Sequence, residues 1–312
     1  MPATQTLRLL IGPITLIHEQ AGPRLLRLTR LGVFFLWIIK LSLDPLWRLG
    51  ELPRELFEPI GILTLLPASA IGALLHPIPL YLFLLTTLIV LTIGLTNRAF
   101  PVVSTLAAIL LTAYSCLIRG FGPAVHTDIT LLLAVYALCG FSWADWLTKG
   151  RDGSPLPSVD WGREGTRVPT SSYPLITIVS FLCLSYCLVG FNRIMQGGIQ
   201  IFTGDTMEVF AIDASLRAYY FNTNIGWHIP EWPFVVLLLK LGFPVITLFE
   251  IVAPLCLVSS HFRWIFIPVM FSFHLLSLVL MNIFFFDDML LNLLLVDWSR
   301  RFPALSSRSQ TS

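Results

Sequence analysis

The chain has 312 residues, of which 55% are hydrophobic and 12% are charged, and its formal net charge is +2. Its mean hydropathy of +0.79 is far above that of soluble globular domains, so the composition indicates an integral membrane protein. Lysine and arginine are dispersed or sit at the ends of apolar runs, which excludes a basic surface for nucleic acid. The five cysteines lack paired CxxC spacing, so we expect neither a zinc site nor a disulfide framework.

The chain begins with a basic, weakly amphipathic stretch, residues 1–27, which we interpret as a cytoplasmic or interfacial lead-in rather than a signal peptide. Apolar segments near the length of about 20 residues that a bilayer requires follow it. The predicted spans are 28–43, 78–95, 99–118, 125–147, 173–195, 234–258 and 263–283. The sequence therefore predicts an all-α integral membrane protein, a polytopic helical bundle of about seven to eight transmembrane segments over residues 28–298.

Three other stretches complete the predicted organisation. Residues 150–172 are rich in glycine, proline, serine and charge, which is typical of a polar loop outside the membrane. Residues 197–232 form an amphipathic, lid-like segment, and residues 299–312 form a tail that we expect to be disordered. The apolar piece 289–298 is too short to cross the bilayer alone, so it is either re-entrant or part of a longer tilted element.

The placement of lysine and arginine predicts a cytoplasmic N-terminus, because these residues favour the cytoplasmic side of a membrane. For a eukaryotic protein we expect the endoplasmic reticulum membrane. With this orientation, the ionisable residues inside the spans would form one column that opens to the non-cytoplasmic side, and the lid-like segment would cover its mouth. Charged side chains within a bilayer are costly, so each is a candidate functional residue.

Glu250 and His274 are the strongest candidates for catalysis. Glu250 precedes Pro254 by four residues, and proline removes the donor that would have bonded the carbonyl of residue 250. The alternative is a neutral glutamic acid that satisfies a helix kink. His274 shares a helix stripe with Ser277 and Met281. A histidine that is merely hydrogen-bonded to a neighbouring helix explains it equally well.

A second group of residues is predicted to contact substrate: His126, Asn192, Arg193, Lys240 and Tyr186. For His126, an interfacial histidine at a helix start is an equal alternative. Snorkelling of the side chain to the membrane interface explains Arg193 and Lys240 as well as a binding role does, although Lys240 is also placed to pair with a carboxylate of another segment.

The pair Asp287 and Asp288 is interpreted as a solvated turn rather than as a paired acid and base. No phosphate-binding loop, HExxH, GxSxG or triad spacing occurs, so we expect no cofactor and no metal ion. The expected partners are membrane lipids and a lipophilic small-molecule substrate, with no nucleic acid. No oligomeric state is predicted.

The order of these features resembles the horizontally transferred transmembrane (HTTM) family, which includes the vitamin K-dependent gamma-carboxylases. The matching stretches are RLTRLGVFFL, AVHTDITLLL, SYCLVGFNRIMQGG, LFEIVAPLCL and FHLLSLVLMNIFFFDDMLLNLL, which lie between about residues 28 and 298. The last two are the most specific, because a Glu-x-x-x-Pro helix is followed by a Phe-His helix and a phenylalanine-rich turn. The resemblance implies the helical membrane fold and a hydrophobic substrate chamber.

One difference from the carboxylases bears on function. Where that branch carries the lysine taken to be its base, this chain has Asn192 and Arg193. Arginine is effectively always protonated and cannot act as that base. The large non-cytoplasmic domain of the carboxylases is also expected to be missing, so we do not expect glutamate carboxylation.

The leading hypothesis is a membrane enzyme of the cyclase or isomerase type, acting by proton transfer on an isoprenoid- or quinone-like molecule. Glu250, kept protonated by its apolar surroundings, would be the proton donor or acceptor, and His274 its partner. Arg193 would stabilise developing negative charge. The alternatives are a non-enzymatic transporter or lipid-binding protein, and a structural subunit of a larger membrane complex.

Overall fold

The computed structural model describes residues 16–19, 21–96, 98–121, 127–149, 172–198, 200, 204–216, 225–283, 285–302 and 305. The predicted polar loop 150–172, apart from Ser172, and most of the predicted tail therefore lie outside the described residues. The α-helices are α1 Pro23–Leu43, α2 Ala68–Leu74, α3 Pro77–Gly94, α4 Phe100–Arg119, α5 Thr127–Lys149, α6 Ser172–Gly197, α7 Thr206–Leu216, α8 Pro233–Ile251, α9 Ser260–Met281, α10 Phe286–Leu291 and α11 Trp298–Arg301. Short 3-10 helices lie at Leu46–Glu51, Arg54–Leu56, Gly61–Leu65, Ile225–Glu231, Ala253–Leu257 and Asn292–Leu295.

The predicted all-α polytopic membrane fold is confirmed. Among the described residues, six helices are long and apolar enough to cross a membrane: α3, α4, α5, α6, α8 and α9. Helix α1 has 21 residues and contains the first predicted span, 28–43, but it begins earlier, at Pro23, and its basic side chains set it apart from those six. The apolar stretch 289–298 is divided between the end of α10, the following 3-10 helix and the start of α11, so it does not form a spanning helix of its own.

Prolines mark several helix ends. Proline occupies the first or second position of α1, α3, α4 and α8, where its missing N–H would have had no partner within the helix. Helix α8 ends at Ile251, and the chain continues as the 3-10 helix that contains Pro254. Glu250 is therefore held in the last turn of α8, next to a change of helix type.

The described residues form two compact units. The N-terminal unit contains the described residues from Ala21 to Ile178 and those from Trp298 onward. Within it, α4 packs against α3 and α5, and α1 packs against α3 and α5. Its core is aromatic: Trp37 is fully buried, meets Tyr114 edge to face with ring centroids 6.0 Å apart, and donates through Nε1 to the Leu131 carbonyl at 3.3 Å.

The C-terminal unit contains Val179–Asp297 and residues 16–19. Helices α8 and α9 pack together, and both contact α7 and the 3-10 helix Ile225–Glu231. A Cβ atom at Gly226 would lie 2.4 Å from the Leu280 carbonyl oxygen and 2.5 Å from that of Ala211, so only glycine permits this approach. Two described parts of the predicted lid-like segment, α7 and the 3-10 helix Ile225–Glu231, thus pack closely against each other and against α9.

Residues 16–19 also belong to the C-terminal unit. The Ile17 N–H donates to the Leu257 carbonyl at 2.9 Å, and Nε2 of the fully buried His18 lies 2.7 Å from the Leu294 carbonyl oxygen. His18 Nδ1 is 3.8 Å from the Asp297 carboxylate. Burial lowers the pKa of His18, because the charged ring would lose its hydration inside the protein. This short strap ties the chain that precedes α1 to the segment that follows α10.

Candidate functional site

A close helix approach inside the C-terminal unit brings its polar residues together. A Cβ atom at Gly190 would lie 2.8 Å from Ile251 Cγ1 and 3.0 Å from both the Ile251 nitrogen and the Thr247 oxygen. The absence of a side chain at Gly190 therefore lets α6 lie directly against the end of α8. Arg193 follows one helical turn after Gly190, so its side chain starts next to the last turn of α8.

Arg193 and Glu250 form an ion pair at this contact. Arg193 Nη1 is 2.5 Å from Glu250 Oε2, and Glu250 is 2% exposed. The guanidinium also lies over two aromatic rings, 5.2 Å from the centroid of Phe243 and 5.7 Å from that of Phe273. Cations are attracted to the faces of such rings. Arg193 thus turns inward to a buried carboxyl group rather than extending to a membrane interface.

His274, the residue after Phe273, forms a hydrogen-bonded triad with Tyr186 and Asn292. The Tyr186 hydroxyl is 2.9 Å from His274 Nε2, and the amide of Asn292 donates through Nδ2 to the same hydroxyl at 2.8 Å. All three side chains are buried. Ser277 and Met281, the other members of the predicted His274 stripe, are buried as well. The face of α9 that carries His274 is therefore the one that packs inside the unit.

The ion pair and the triad form one group, which we call the α6–α9 cluster: Tyr186, Arg193, Glu250, His274 and Asn292. Tyr186 and Arg193 are seven residues apart on α6 and so share a helix face. The Phe273 ring that faces the Arg193 guanidinium is 5.4 Å from the His274 ring, centroid to centroid. The polar side chains of this cluster thus come from α6, α8, α9 and the 3-10 helix Asn292–Leu295.

The cluster contains two buried polar atoms that have no hydrogen-bond partner among the described residues. They are His274 Nδ1 and Asn292 Oδ1. Leaving such an atom unpaired away from water costs about 1–3 kcal/mol. Both atoms belong to residues whose other polar atom bonds the Tyr186 hydroxyl. The hydrogen-bonding capacity of His274 and of Asn292 is therefore only partly satisfied.

Of the residues predicted for the site, Glu250, His274, Arg193 and Tyr186 come together. Lys240 does not join them: it pairs with Asp205 at 2.5 Å, and both side chains are largely exposed. Asn192 is also exposed and accepts a bond from Gln196 at 3.0 Å. His126 lies outside the described residues.

The interpretation of Asp287 and Asp288 as a solvated turn was wrong for Asp287. Its side chain is fully buried in the first turn of α10, because that short helix packs against α9. Asn292 was missed altogether. The available signal was its position as a single amide within the apolar run MLLNLLLV, where a buried polar group needs a partner from elsewhere in the chain.

The N-terminal unit holds a different polar contact that the sequence did not predict. Arg119, at the end of α4, donates to both carboxylate oxygens of Asp128 in the first turn of α5, with the Nη1–Oδ2 distance 2.9 Å. Arg119 also donates to the Ser115 hydroxyl, and the Tyr114 hydroxyl donates to Asp44. Within the described part of the chain, no group of three His, Cys, Asp or Glu residues is placed to hold a metal ion.

Comparisons of the chain with protein-family models, with curated proteins and with solved structures gave no match. Any statement on function therefore depends on the residues of the α6–α9 cluster themselves.

Proposed function

We propose that this chain is an integral membrane enzyme of the HTTM kind, which acts by acid–base proton transfer on a lipid-soluble isoprenoid- or quinone-like substrate. The reaction class is cyclisation or isomerisation of a terpenoid-like molecule. The observation that carries the proposal is the buried Tyr186–His274 hydrogen bond beside the Arg193–Glu250 ion pair. A polar group of this kind inside a membrane helix bundle is rare unless it serves function.

His274 is the residue that we assign to proton transfer. Imidazole is the side chain best suited to remove and return a proton near neutral pH. The Tyr186 hydroxyl can donate to His274 Nε2 or accept from it, so the ring can carry its proton on either nitrogen. Because Nε2 is bonded to Tyr186 and Nδ1 is unpaired, Nδ1 is the atom that exchanges a proton with the substrate.

Arg193 and Glu250 balance charge in this proposal. The Arg193 guanidinium stabilises negative charge that develops on the substrate while a proton is absent. Glu250 holds the guanidinium at the end of α8 and supplies its counter-charge. From the sequence, Glu250 was expected to stay protonated and to act as the proton donor or acceptor. The role proposed here differs, because the carboxyl group is bonded to a permanent cation.

The chemistry needs no co-reactant. In an isomerisation or cyclisation, one substrate carbon gains a proton and another loses one, so neither atoms nor electrons are exchanged with a second molecule. The proposal includes a cytoplasmic N-terminus and, in a eukaryote, residence in the endoplasmic reticulum membrane.

Deuterium incorporation tests this function even while the substrate is unidentified. The purified protein, in lipid nanodiscs, is incubated in deuterium oxide with a lipid extract from its source membranes. We expect carbon-bound deuterium in one or a few lipids by mass spectrometry, and its loss with His274→Gln. The matched control is His228→Gln, because His228 is exposed and pairs only locally with Glu231 at 3.2 Å.

Two results would contradict the enzyme proposal. One is that His274→Gln yields as much deuterated lipid as the wild-type protein. The other is that no lipid gains deuterium, and if the wild-type protein then moves an unaltered lipid across vesicles, it is a transporter instead.

A further inference from the structure

The strap formed by residues 16–19 contacts the element that carries Asn292. Nε2 of the fully buried His18 lies 2.7 Å from the Leu294 carbonyl oxygen. A carbonyl oxygen only accepts, so the His18 Nε2–H is the donor. Leu294 belongs to the four-residue 3-10 helix Asn292–Leu295, in which it follows Asn292 by two positions. The strap therefore holds the same short helix that supplies Asn292 to the α6–α9 cluster.

This 3-10 helix depends on contacts from outside itself. A helix of about one turn is not stable alone, and the carbonyls at the end of a helix have no partner within it. His18 supplies such a partner at Leu294, and the Asn292 amide is bonded to the Tyr186 hydroxyl at 2.8 Å. Asn292 Oδ1 has no hydrogen-bond partner among the described residues. The position of the Asn292 amide therefore depends on how the backbone of this helix is held.

The backbone of His18 indicates that the strap is held in one fixed conformation. Its φ angle is 58°, in the left-handed region that residues other than glycine seldom adopt. The preceding residue, Ile17, is fully buried, and its N–H donates to the Leu257 carbonyl at 2.9 Å. Unfavourable backbone conformations persist only where the surrounding structure fixes them, and they concentrate at functional sites. This conformation lets the His18 ring reach Leu294.

Asn292 in turn determines which nitrogen of His274 carries the proton. The Asn292 amide nitrogen donates to the Tyr186 hydroxyl oxygen and cannot accept. The buried hydroxyl proton needs an acceptor, which His274 Nε2 supplies at 2.9 Å. A neutral His274 with an accepting Nε2 carries its proton on Nδ1. Without the Asn292 donor, the hydroxyl can also accept from an Nε2–H, so both tautomers of His274 become accessible.

We infer that His18 is a positioning residue for His274. Its bond to Leu294 holds the 3-10 helix that presents Asn292, and Asn292 sets the tautomer of the His274 ring. The inference rests on the proposed function, because it deepens the role of His274 in proton transfer. With its proton on the unpaired Nδ1, His274 begins the reaction as the proton donor.

Nitrogen NMR of the histidine rings provides the measurement, because it reports which ring nitrogen carries the proton and whether the other accepts a hydrogen bond. The full-length protein is labelled with 15N-histidine and studied in lipid nanodiscs. The chain has six histidines, so the His274 signals are identified as those that disappear in His274→Gln. We expect wild-type His274 to show one tautomer, with the proton on Nδ1 and a hydrogen-bonded Nε2.

His18→Phe removes the donor and keeps an aromatic ring of similar shape. We expect His274 to show both tautomers in this variant, and the rate of deuterium incorporation to fall about tenfold, as for the loss of one aligned hydrogen bond. The matched control is His228→Phe, because His228 is exposed and pairs with Glu231, three residues later. It should leave both measurements unchanged. Unchanged His274 signals in folded His18→Phe would overturn the inference.

A second substitution separates the hydrogen bond from the filling of space. His18→Gln keeps an amide donor at about the position of Nε2, so we expect it to restore the single tautomer of His274. Signals like those of His18→Phe would show that the donor has no part in positioning, and the inference would fail.

A third variant keeps the test decisive if size-exclusion chromatography shows that His18→Phe is misfolded. Ile17→Ala then replaces it, because the loss of this buried side chain loosens the strap. We again expect both tautomers of His274, and a single tautomer would overturn the inference.

The NMR measurement requires no substrate, so the positioning role and the enzymatic function fail separately. A change of tautomer in His18→Phe, without deuterium incorporation by the wild-type protein, supports the positioning role and removes the enzymatic function. Deuterium incorporation by the wild-type protein, with an unchanged tautomer in His18→Phe, overturns the positioning role alone.

Discussion

Each unit of this protein contains an arginine–carboxylate pair between helices, and the two pairs differ in completeness. In the N-terminal unit, Arg119 contacts both oxygens of Asp128 and also the Ser115 hydroxyl. In the C-terminal unit, Arg193 contacts one oxygen of Glu250 and is otherwise faced by aromatic rings. A two-point contact adds geometric specificity as well as energy, so the one-point contact constrains the orientation of its guanidinium less.

The neighbourhoods of the two pairs differ in the same way. Beside the first pair, Ser115 and the neighbouring Tyr114, whose hydroxyl donates to Asp44, have no unpaired buried side-chain atom. The residues beside the second pair, His274 and Asn292, each keep a buried polar atom without a partner among the described residues. Fully satisfied polar networks make a core rigid, whereas each buried polar atom without a partner calls for an explanation. Five substitution experiments test this contrast, starting with the largest expected effect.

Replacing His274 with glutamine should reduce deuterium incorporation by about 10²–10⁴-fold, the usual contribution of a general acid or base. The thermal unfolding midpoint, measured in the same nanodiscs, should change little, because glutamine retains polar atoms near Tyr186. A large loss of stability that accompanies the loss of activity would identify His274 as a structural residue instead.

Asp128→Leu should lower the free energy of unfolding by about 3–5 kcal/mol, because it leaves the Arg119 charge buried without its partner. Denaturant titration of the solubilised protein measures this change. Adding Arg119→Leu should recover most of the loss, since apolar pairs often replace buried ion pairs without cost.

The corresponding double variant of the C-terminal unit sharpens the contrast. Arg193→Leu with Glu250→Leu should retain most of the stability, as we expect of the other double variant, and yet abolish deuterium incorporation. An active double variant would show that this second ion pair is also only structural.

Gly190→Ala should lower the free energy of unfolding by about 1–3 kcal/mol, because the added methyl group would press against backbone atoms of α8. Activity should fall as well, since Arg193 moves with α6. The control is Gly242→Ala, where a Cβ atom would meet nothing within 4 Å. Equal effects of the two substitutions would show that the close approach at Gly190 has no special role.

The smallest expected effect is the pH dependence of the residue 16–19 strap. Burial lowers the pKa of His18, so the unfolded chain binds the proton more readily than the folded protein. The stability that this residue contributes is complete above about pH 6.5 and declines as the pH falls below that value, by at most about 1.4 kcal/mol per pH unit. His18→Gln should remove this component from the pH profile of thermal unfolding. An unchanged profile would show that His18 does not titrate in this window.

The helices themselves could be predicted, but their contacts could not. Long apolar runs predicted α3, α4, α5, α6, α8 and α9, because a chain in lipid must satisfy its backbone hydrogen bonds within each segment. Glu250, His274, Arg193 and Tyr186 were predicted as site residues from the cost of polar groups among apolar ones. The same reasoning included Lys240 and Asn192, which face outward, since composition does not reveal which face of a helix is buried.

The sequence by itself determined that this is a helical membrane protein and that a few costly polar residues lie within its helices. Both properties are local, since they depend on residue types within one turn or one span. Only the tertiary structure decided that Tyr186 bonds Asn292, 106 residues later, and that Arg193 turns toward Glu250 rather than toward an interface. These contacts depend on the rotation of each helix and on the close approach at Gly190, which arise from packing between distant segments.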